Sequence, residues 1–591
     1  MRQFFISLLG SIVGFFVALF LMFIFFAMII GLAVQSASSQ KTKPKGGIIL
    51  NMDLRVPMRD HGNSNPLFGG NAPTLINTVR TLHRAKSDDK VKGLFLRANG
   101  WGMSPSTAEE LRLAIKDFQS SGKFVIAWAQ GFEGTSFSGY HGVSTADEIW
   151  LQDTTGFALS GYRAEIEFLG GVLDKFDAKP EFIKFHEYKN AVNTYTETTL
   201  TPAHKESMTS LLQSLSDTTL DQIANDRNMS TNQLVDFFAG SPYSAEQAKE
   251  FGLIDKLGHY AAAREYAKEK AGKGSSFQDI TDYGTGINLS GPVIAFVGGQ
   301  GTILPGNSSD GSNPFSNNVT MGGDTVSKAL MKAAKDKNVK AIVFRVNSPG
   351  GSPAASDQIW DAVRRAKEEG KPVVVSMGQY AASGGYYVAA NADRIVAMPM
   401  TITGSIGVFG GKVVLKDTLA KIGYNIEAIN TGGEYASVHS AFEPWSASNR
   451  EGYRRSLESI YKDFTSRVAE GRNLPLERVL EIAKGRVWTG AQAKEIGLVD
   501  ELGGFMKALN VAKELADIDA DKDVRIKIFP RALTTQEQLE QILNVSAEAA
   551  ASLDELRVLA QTPEFKALIS ARETLQNSQD MQLQAYIPDI Q

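Results

Sequence analysis

Cysteine is absent from this chain of 591 residues. Its absence excludes disulfide bonds, thiolate nucleophiles and cysteine-ligated metals, and it leaves the redox compartment open. An excess of one charge is absent too, since 61 Lys and Arg residues nearly balance 65 Asp and Glu residues. A net charge of −4 does not favour a nucleic acid as partner. The chain is 43% hydrophobic and 21% charged, so composition and length predict a folded protein of two or more domains.

Several catalytic motifs are missing as well. The sequence contains no HExxH zinc motif, no Walker A loop and no dinucleotide-binding fingerprint, and paired carboxylates at a plausible site are not evident. Histidine is scarce, with seven residues, and neither His186 nor His439 stands in a recognisable catalytic context. A Ser–His–Asp triad therefore remains only as a competing hypothesis. We expect neither a metal nor a cofactor.

One long apolar segment is present near the start of the chain. Residues 4–34, FFISLLGSIVGFFVALFLMFIFFAMIIGLAV, carry no charge. About 20 apolar residues cross a bilayer as a helix, whereas the apolar region of a cleaved signal peptide has roughly 7–15. We therefore expect an uncleaved, single-pass transmembrane anchor that holds a soluble body at a membrane. Basic residues flank the segment on both sides, so the positive-inside rule does not decide its orientation.

The body of the chain is duplicated. VKGLFLRANGWGMSP (91–105) matches VKAIVFRVNSPGGSP (339–353), and SAEQAKEFGLIDKLG (244–258) matches TGAQAKEIGLVDELG (489–503). This period is far longer than that of a solenoid repeat, so it indicates two copies of a globular domain. The predicted organisation after the anchor is a first copy at 46–265, a linker at 266–290, a second copy at 291–510, and a helical extension of unassigned role at 511–591.

Each copy alternates unbroken runs of Val and Ile with amphipathic stretches. In the second copy AIVFRV is followed by ASDQIWDAVRRAKEEG and then by PVVVSM. Such runs between helices are typical of parallel strands that are buried on both faces. The sequence therefore predicts the α/β class, built from successive βαβ units in two tandem copies.

The segment GQYAASGGYY (378–387) carries the candidate nucleophile. Ser383 follows an apolar strand and precedes a run of small residues that is predicted to be helical. A strand–turn–helix junction places a side chain at a helix N-terminus, where free N–H groups favour developing negative charge. The N–H of Gly384 would then point to an oxyanion. The alternative interpretation is that A-S-G-G serves only tight packing between helix and strand.

A second glycine-rich segment strengthens the catalytic interpretation. NSPGGS (347–352) ends the preceding strand, and its glycines Gly350 and Gly351 expose backbone N–H groups at the carboxyl end of the sheet. Active sites of open α/β sheets form at that end. Two adjacent strand ends would then supply a nucleophile and donors for an oxyanion hole.

Three motifs in this order, VNSPGGS, YAASGGYY and TITGSIGVFG (401–410), resemble the signal peptide peptidase A family in its long, duplicated, membrane-anchored form. The resemblance implies the fold of crotonases and caseinolytic (Clp-like) proteases, with repeated ββα units. It also implies a Ser–Lys dyad that degrades cleaved signal peptides, with Ser405 as the hydroxyl that orients the lysine. A homotetramer is implied, at a bacterial inner (cell) membrane, with the catalytic body on the periplasmic side.

The duplication indicates where the base comes from. The counterpart of Ser383 in the first copy is Phe137, whereas the counterpart of Lys189 in the second copy is Glu434. One copy thus has the serine without the lysine, and the other has the lysine without the serine. Such complementary loss is expected if the two copies share one composite site. Family members likewise take a lysine from an EYK context, which supports Lys189 as the general base.

The chemistry of lysine sets a structural requirement. A free lysine has a pKa near 10.4 and is protonated at neutral pH, so it cannot accept a proton. Burial lowers that pKa by up to several units. We therefore expect Lys189 to be buried between the copies and held by hydroxyls rather than by carboxylates. The alternative is an ordinary surface lysine.

The sequence thus predicts a membrane-anchored serine endopeptidase that hydrolyses short apolar peptides. Two alternatives come from other classes. A crotonase-like acyl-CoA enzyme would use similar glycine-rich oxyanion loops, and a non-catalytic membrane scaffold would keep the fold without the chemistry. The predicted distance between Lys189 Nζ and Ser383 Oγ is within roughly 3.2 Å, or bridged by one water.

Overall fold

The computed structural model describes residues 46–62, 73–286, 290–311, 318–531 and 583–584. The predicted anchor at 4–34 and most of the predicted C-terminal extension lie outside the described residues. Within the described ranges, no helix combines the length and the apolar character that crossing a membrane requires.

The first half of the chain forms a six-stranded, all-parallel sheet in the order β8-β4-β3-β2-β1-β9. Its strands, together with three shorter or separate ones, are β1 (Ile48–Asp53), β2 (Val91–Arg97), β3 (Phe124–Ala129), β4 (Glu148–Leu151), β5 (Gly156–Phe157), β6 (Lys179–Phe185), β7 (Tyr243–Ser244), β8 (Lys256–Leu257) and β9 (Ser276–Asp279). Its α-helices are Leu75–Ala85, Pro105–Gln119, Ser138–His141, Gly170–Lys175, Asn193–Thr196, Pro202–Arg227, Thr231–Ala239, Ala245–Phe251, Tyr260–Ala271 and Ile280–Tyr283.

The second half repeats this arrangement. Strands β10, β14, β16, β17 and β21 pair in parallel as β1, β2, β3, β4 and β8 do, and β22 adds to β10 as β9 adds to β1. The strands are β10 (Val293–Gln300), β11 (Thr302–Leu304), β12 (Ser309–Asp310), β13 (Val319–Gly322), β14 (Val339–Ser348), β15 (Gly350–Gly351), β16 (Val373–Ala382), β17 (Arg394–Ala397), β18 (Ile402–Gly404), β19 (Val408–Val414), β20 (Val487–Thr489), β21 (Glu501–Leu502), β22 (Arg525–Phe529) and β23 (Leu583–Gln584).

The helices of the second half are Gly323–Lys335, Pro353–Glu368, Gly384–Ala389, Lys416–Ala420, Ala447–Arg472, Leu476–Ile482, Gly490–Glu495 and Phe505–Leu515. Two 3₁₀ turns, Asn190–Val192 and Glu434–Ser437, complete the description. The halves repeat even their local signals, because the capping box of Ser244 and Gln247 recurs as that of Thr489 and Gln492. In both, the side chain and the backbone satisfy each other's free groups at the helix start.

Each sheet is covered on both faces, which explains its unbroken apolar strands. In the second half, one face of the sheet packs on the helices Gly323–Lys335 and Pro353–Glu368, and the other face packs on Phe505–Leu515. A strand without a solvent face has no position for alternating polar residues. The predicted α/β class with two tandem copies is therefore observed.

The two outermost parallel strands lie beyond the bounds of the copies that the repeat predicts. Strand β9 lies in the segment interpreted as a linker, and β22 lies in the segment interpreted as a helical extension. Both are short, with partly exposed side chains, so neither carries the apolar run that marks a buried strand in the sequence.

One strand pair joins the halves. Strand β6 from the first half pairs antiparallel with β19 from the second, in a register that runs from Lys179 opposite Val414 to Phe185 opposite Val408. Residues shortly after β6 therefore lie beside residues shortly before β19. This pairing carries the segment of the first copy that contains Lys189 into the second copy.

Candidate active site

Ser383 lies where the central strand β16 meets the helix Gly384–Ala389. Its side chain is fully buried, and its backbone has φ 55° and ψ −115°. A left-handed conformation is unfavourable for a residue with a Cβ and persists only where the surroundings impose it. Here the Ser383 N–H donates to the carbonyl of Gly404 at 2.8 Å. The chain thus turns sharply at Ser383, between the strand and the helix.

Lys189 reaches this serine from the other half. Its side-chain nitrogen Nζ lies 2.7 Å from Ser383 Oγ, 3.0 Å from the carbonyl oxygen of Ser405 and 3.1 Å from Ser405 Oγ, all within hydrogen-bond distance. The lysine is only 1% exposed. The structure therefore brings together the serine and the lysine that the complementary losses single out.

Burial lowers the pKa of Lys189 well below its ordinary value. The three hydrogen-bond partners of Nζ are two hydroxyls and one carbonyl, and none of them carries a charge. A carboxylate partner would stabilise the ammonium and raise the pKa, whereas these neutral partners do not. The site therefore favours an unprotonated amine, which is the form that can accept a proton.

Ser405 follows β18 and has φ 50°, a second left-handed serine. Its N–H donates to the carbonyl of Arg486 at 2.7 Å, and its hydroxyl contacts the carbonyl of Gly485 at 3.3 Å. These bonds hold both oxygens of Ser405 against Lys189. The segment around Gly485 also approaches the lysine directly, because a Cβ on that glycine would lie 2.6 Å from the Lys189 backbone nitrogen.

The glycine pair Gly350 and Gly351 forms β15, immediately after β14. Ser348 pairs with Ala381, two residues before the candidate nucleophile, so β15 begins beside the site. The two glycines have φ of 111° and 156°, and a Cβ on Gly351 would lie 2.1 Å from the carbonyl oxygen of Ile303. The N–H of Gly350 already donates to Ser348 Oγ at 3.1 Å.

Gly384 is the first residue of the helix that follows the serine. The leading N–H groups of a helix have no acceptor within that helix. Its position next to Ser383 and opposite β15 is the one expected of a donor to an oxyanion.

The corresponding place in the first half is an aromatic cluster. Phe137, the counterpart of Ser383, is 2% exposed and packs edge-to-face on Tyr162 and against Phe238. Its neighbours Ser136 and Ser138 bond to each other at 2.9 Å. The two hydroxyls next to Phe137 thus bond to each other. Glu434, the counterpart of Lys189, is exposed and accepts from Ser446.

The two histidines of the competing triad hypothesis lie elsewhere. His186 is exposed and its ring packs on Tyr461, and His439 is exposed and its ring packs on Tyr453. The base that contacts Ser383 is the Lys189 amine. Among the described residues, no group of His, Asp and Glu side chains is arranged to hold a metal ion.

One feature escaped the sequence interpretation. Arg345, in the middle of β14, is fully buried and pairs with Asp60 and Glu110 of the first half. It also donates to Ser376 Oγ and to the carbonyl of Met377. The arginine inside the apolar run AIVFRV could have indicated such a cluster, because a charge on a buried strand requires a partner of opposite charge.

Comparison with known proteins finds a match to the same family in each half of the chain. The model of peptidase family S49 matches residues 117–273 and 365–519, one segment in each half, and a Clp protease model matches residues 316–405. Protease 4 of Haemophilus influenzae is 31% identical over 525 residues, which are 84% of this chain and 83% of that protein.

One further relative is similar to most of the chain, and another relative and one solved structure are similar to about a third of it. The chloroplastic serine protease SPPA of Arabidopsis thaliana is 29% identical over 532 residues, 87% of this chain and 76% of that protein. A putative signal peptide peptidase SppA of Enterococcus faecium is 35% identical over 185 residues, 31% of this chain and 54% of that protein. A mutant ClpP1 of Listeria monocytogenes has a TM-score of 0.24 and 18% identity, covering 36% of this chain and 94% of that chain.

Proposed function

Because the chain belongs to peptidase family S49 and is a serine protease, we propose that Ser383 and Lys189 are its catalytic Ser–Lys dyad. The observation that carries the proposal is the 2.7 Å contact between Lys189 Nζ and Ser383 Oγ. Its surroundings support the same assignment, since burial lowers the lysine pKa and Ser405 supplies neutral acceptors.

In the first step the neutral Lys189 amine accepts the proton of Ser383 as Oγ attacks the carbonyl carbon of a peptide bond. The resulting ammonium then donates that proton to the leaving amine, and an acyl-enzyme ester remains on Ser383. In the second step the amine accepts a proton from water, and the resulting hydroxide attacks the ester carbonyl. The proton returns to Oγ when the ester bond breaks, which regenerates the enzyme.

The oxyanion of both steps would be held by backbone N–H groups. We assign this role to Gly384 and Gly351. Of the two glycines that the sequence leaves open, Gly350 already donates its N–H to Ser348 Oγ. Gly351 is therefore the better candidate for the second donor. Losing one such donor typically costs about 100- to 1,000-fold in kcat.

The proposed substrates are short apolar peptides, and signal peptides that remain after secretory cleavage are their proposed source. The name of the Enterococcus relative, the uncharged run at residues 4–34 and the motifs of the second copy support this assignment. The proposed location is a bacterial inner membrane, with a single-pass anchor, a periplasmic body and assembly into a homotetramer. We do not propose the two alternative functions, an acyl-CoA enzyme and a scaffold, because the chain belongs to a serine protease family.

The test compares Ser383→Ala and Lys189→Met with the wild type. We expect each variant to fold, to lose at least about 1,000-fold in hydrolysis of an apolar peptide, and, for Ser383→Ala, to lose labelling by a fluorophosphonate. Methionine fills the volume of the lysine stem but cannot accept a proton.

Lys184→Met is the matched control, because Lys184 is a partly buried lysine on β6 that bonds Asn193 at 2.7 Å, away from the serine. We expect it to keep activity within about threefold of the wild type. Full activity in Lys189→Met would refute the composite dyad.

A further inference from the structure

Arg486 lies beside the candidate dyad, although the proposed chemistry gives it no role. It directly precedes β20, and its carbonyl oxygen accepts the N–H of Ser405 at 2.7 Å. The preceding residue, Gly485, approaches Lys189 so closely that a Cβ on this glycine would lie 2.6 Å from the lysine backbone nitrogen. The backbone at Arg486 therefore adjoins both the serine that contacts the lysine amine and the loop that carries the lysine.

The side chain of Arg486 connects this backbone to the first half of the chain. Its Cζ atom lies 4.4 Å from the centroid of the Trp488 ring and 5.3 Å from that of Tyr188, the residue before Lys189. Its Nη1 and Nη2 atoms donate to the two carboxylate oxygens of Glu206 at 2.7 and 2.9 Å. A planar guanidinium that bonds a carboxylate through two N–H groups fixes orientation as well as distance. Arg486 thus joins the lysine loop, β20 and the helix of Glu206.

The acidic partner of Arg486 belongs to a helix that packs beside the nucleophile. Glu206 is on the helix Pro202–Arg227, and Met208 of this helix lies in one apolar cluster with Ala382, the residue before the candidate serine. The Glu206 side chain is 51% exposed, and an ion pair with so exposed a member contributes little to stability. The effect of the Arg486–Glu206 pair is therefore on the position of the segments that it joins.

We propose that Arg486 is a positioning residue for the dyad, which holds the Ser405 segment against the Lys189 loop and keeps water from the lysine amine. The proposal rests on the proposed function, because Arg486 acts only through Lys189. Burial lowers the pKa of Lys189, so a loosened segment that admits water lets this pKa return toward its ordinary value. A smaller fraction of the lysine is then neutral at neutral pH, and Ser383 reacts more slowly.

The test measures the rate at which a fluorophosphonate labels Ser383 in the full chain across a range of pH. Arg486→Met keeps an unbranched apolar stem but loses the guanidinium. We expect its labelling rate to rise through an ionisation at least about one pH unit above that of the wild type, which makes the rate about tenfold lower at pH values below both ionisations. The rates of variant and wild type should converge at high pH, where both lysines are neutral.

Two further variants separate position from charge. Arg486→Lys keeps the positive charge but not the planar fork, and we expect it to show at least about half of the shift in the ionisation. A complete return to the wild-type ionisation in Arg486→Lys would show that the charge alone suffices and would overturn the positioning role. Glu206→Ala should shift the ionisation in the same direction, and adding it to Arg486→Met should cause no further shift, because both changes remove the same contact.

Arg227→Met is the matched control, because Arg227 is a mostly buried arginine at the end of the same helix that pairs with Asp255 of its own half at 2.7 Å. We expect it to lower the temperature of thermal unfolding without moving the ionisation. An unmoved ionisation in Arg486→Met, or an equal shift in the control, would overturn this inference alone. Labelling at the wild-type rate in Lys189→Met would overturn the proposed dyad and this inference together.

Discussion

At the scale of single residues, the site depends on two serines that adopt left-handed backbone conformations. Ser383 has φ 55° and Ser405 has φ 50°, and a residue with a Cβ prefers other regions by roughly 1–2 kcal/mol. The first conformation aims the candidate nucleophile, and the second places a carbonyl and a hydroxyl on Lys189. The motifs identified both serines in the sequence. Their conformations could not be predicted, because they are imposed by bonds to Gly404 and Arg486 from other segments.

The first residue-scale prediction concerns the pH dependence of activity. Burial lowers the pKa of Lys189, and the proposed mechanism requires its neutral amine. We therefore expect kcat/KM to rise with pH through a single ionisation that lies well below the ordinary lysine value near 10.4. A pH–rate profile of a neutral peptide measures it. An ionisation at the ordinary lysine value would contradict the buried, neutral base.

The same burial makes a second residue-scale prediction, about stability. Between the folded-state pKa of Lys189 and the unfolded value near 10.4, the unfolded chain binds more protons than the folded one. The contribution of Lys189 to the free energy of unfolding therefore becomes more favourable as pH rises through that window. We expect Lys189→Met to be more stable than the wild type at neutral pH, with a gap that narrows as pH increases. Urea unfolding at several pH values checks this, and a gap independent of pH would contradict it.

At the scale of elements, the pairing of β6 with β19 determines whether the proposed dyad can form. Lys189 follows β6 by a few residues, and Ser405 precedes β19 by a few residues, so the antiparallel register places them side by side. Among the described residues, β6 and β19 are the two strands of this sheet, one from each half. The duplication indicated that the halves share a site. The register itself follows from side-chain packing across two distant segments, which a single sequence does not display.

We expect Gly411→Val to lower kcat/KM by about 100-fold, because a Cβ on Gly411 would lie 2.3 Å from the carbonyl of Glu181 and would force β19 away from β6. A displacement of about 1 Å between catalytic groups can cost that factor. Gly433→Ala is the matched control, since a Cβ there meets nothing within 4 Å. Circular dichroism spectra of both variants would show whether each one folds. Unchanged activity in Gly411→Val would show that this pairing does not position the lysine.

At the scale of the whole molecule, a buried ion cluster joins the halves. Arg345 of the second half contacts Asp60 at 3.0 Å and Glu110 at 2.8 Å, both from the first half, and all three are buried. Burial opposes ionisation of Asp60, but Arg345 holds its pKa well below the usual range. Glu110 also accepts the N–H of Phe505. Removing one partner would therefore leave a charge without compensation.

We expect Arg345→Met to lower the free energy of unfolding by about 3–5 kcal/mol, the usual cost of breaking a buried ion pair from one side. Adding Asp60→Asn and Glu110→Gln removes the uncompensated carboxylates, and we expect the triple variant to recover most of that loss. Urea unfolding followed by fluorescence measures both variants. A triple variant that is no more stable than Arg345→Met would show that the cost does not arise from unpaired charge.

The sequence by itself determined the α/β class and the duplication and singled out Ser383 and Lys189 as candidates, because unbroken apolar runs, repeated motifs and complementary losses can be read from the residues alone. Only the tertiary structure decided the 2.7 Å contact between them, the ion cluster around Arg345 and the pairing of Arg486 with Glu206. Each of these depends on packing and register between segments that lie far apart in the chain. Such contacts form when the halves fold against each other, and no local pattern encodes their geometry.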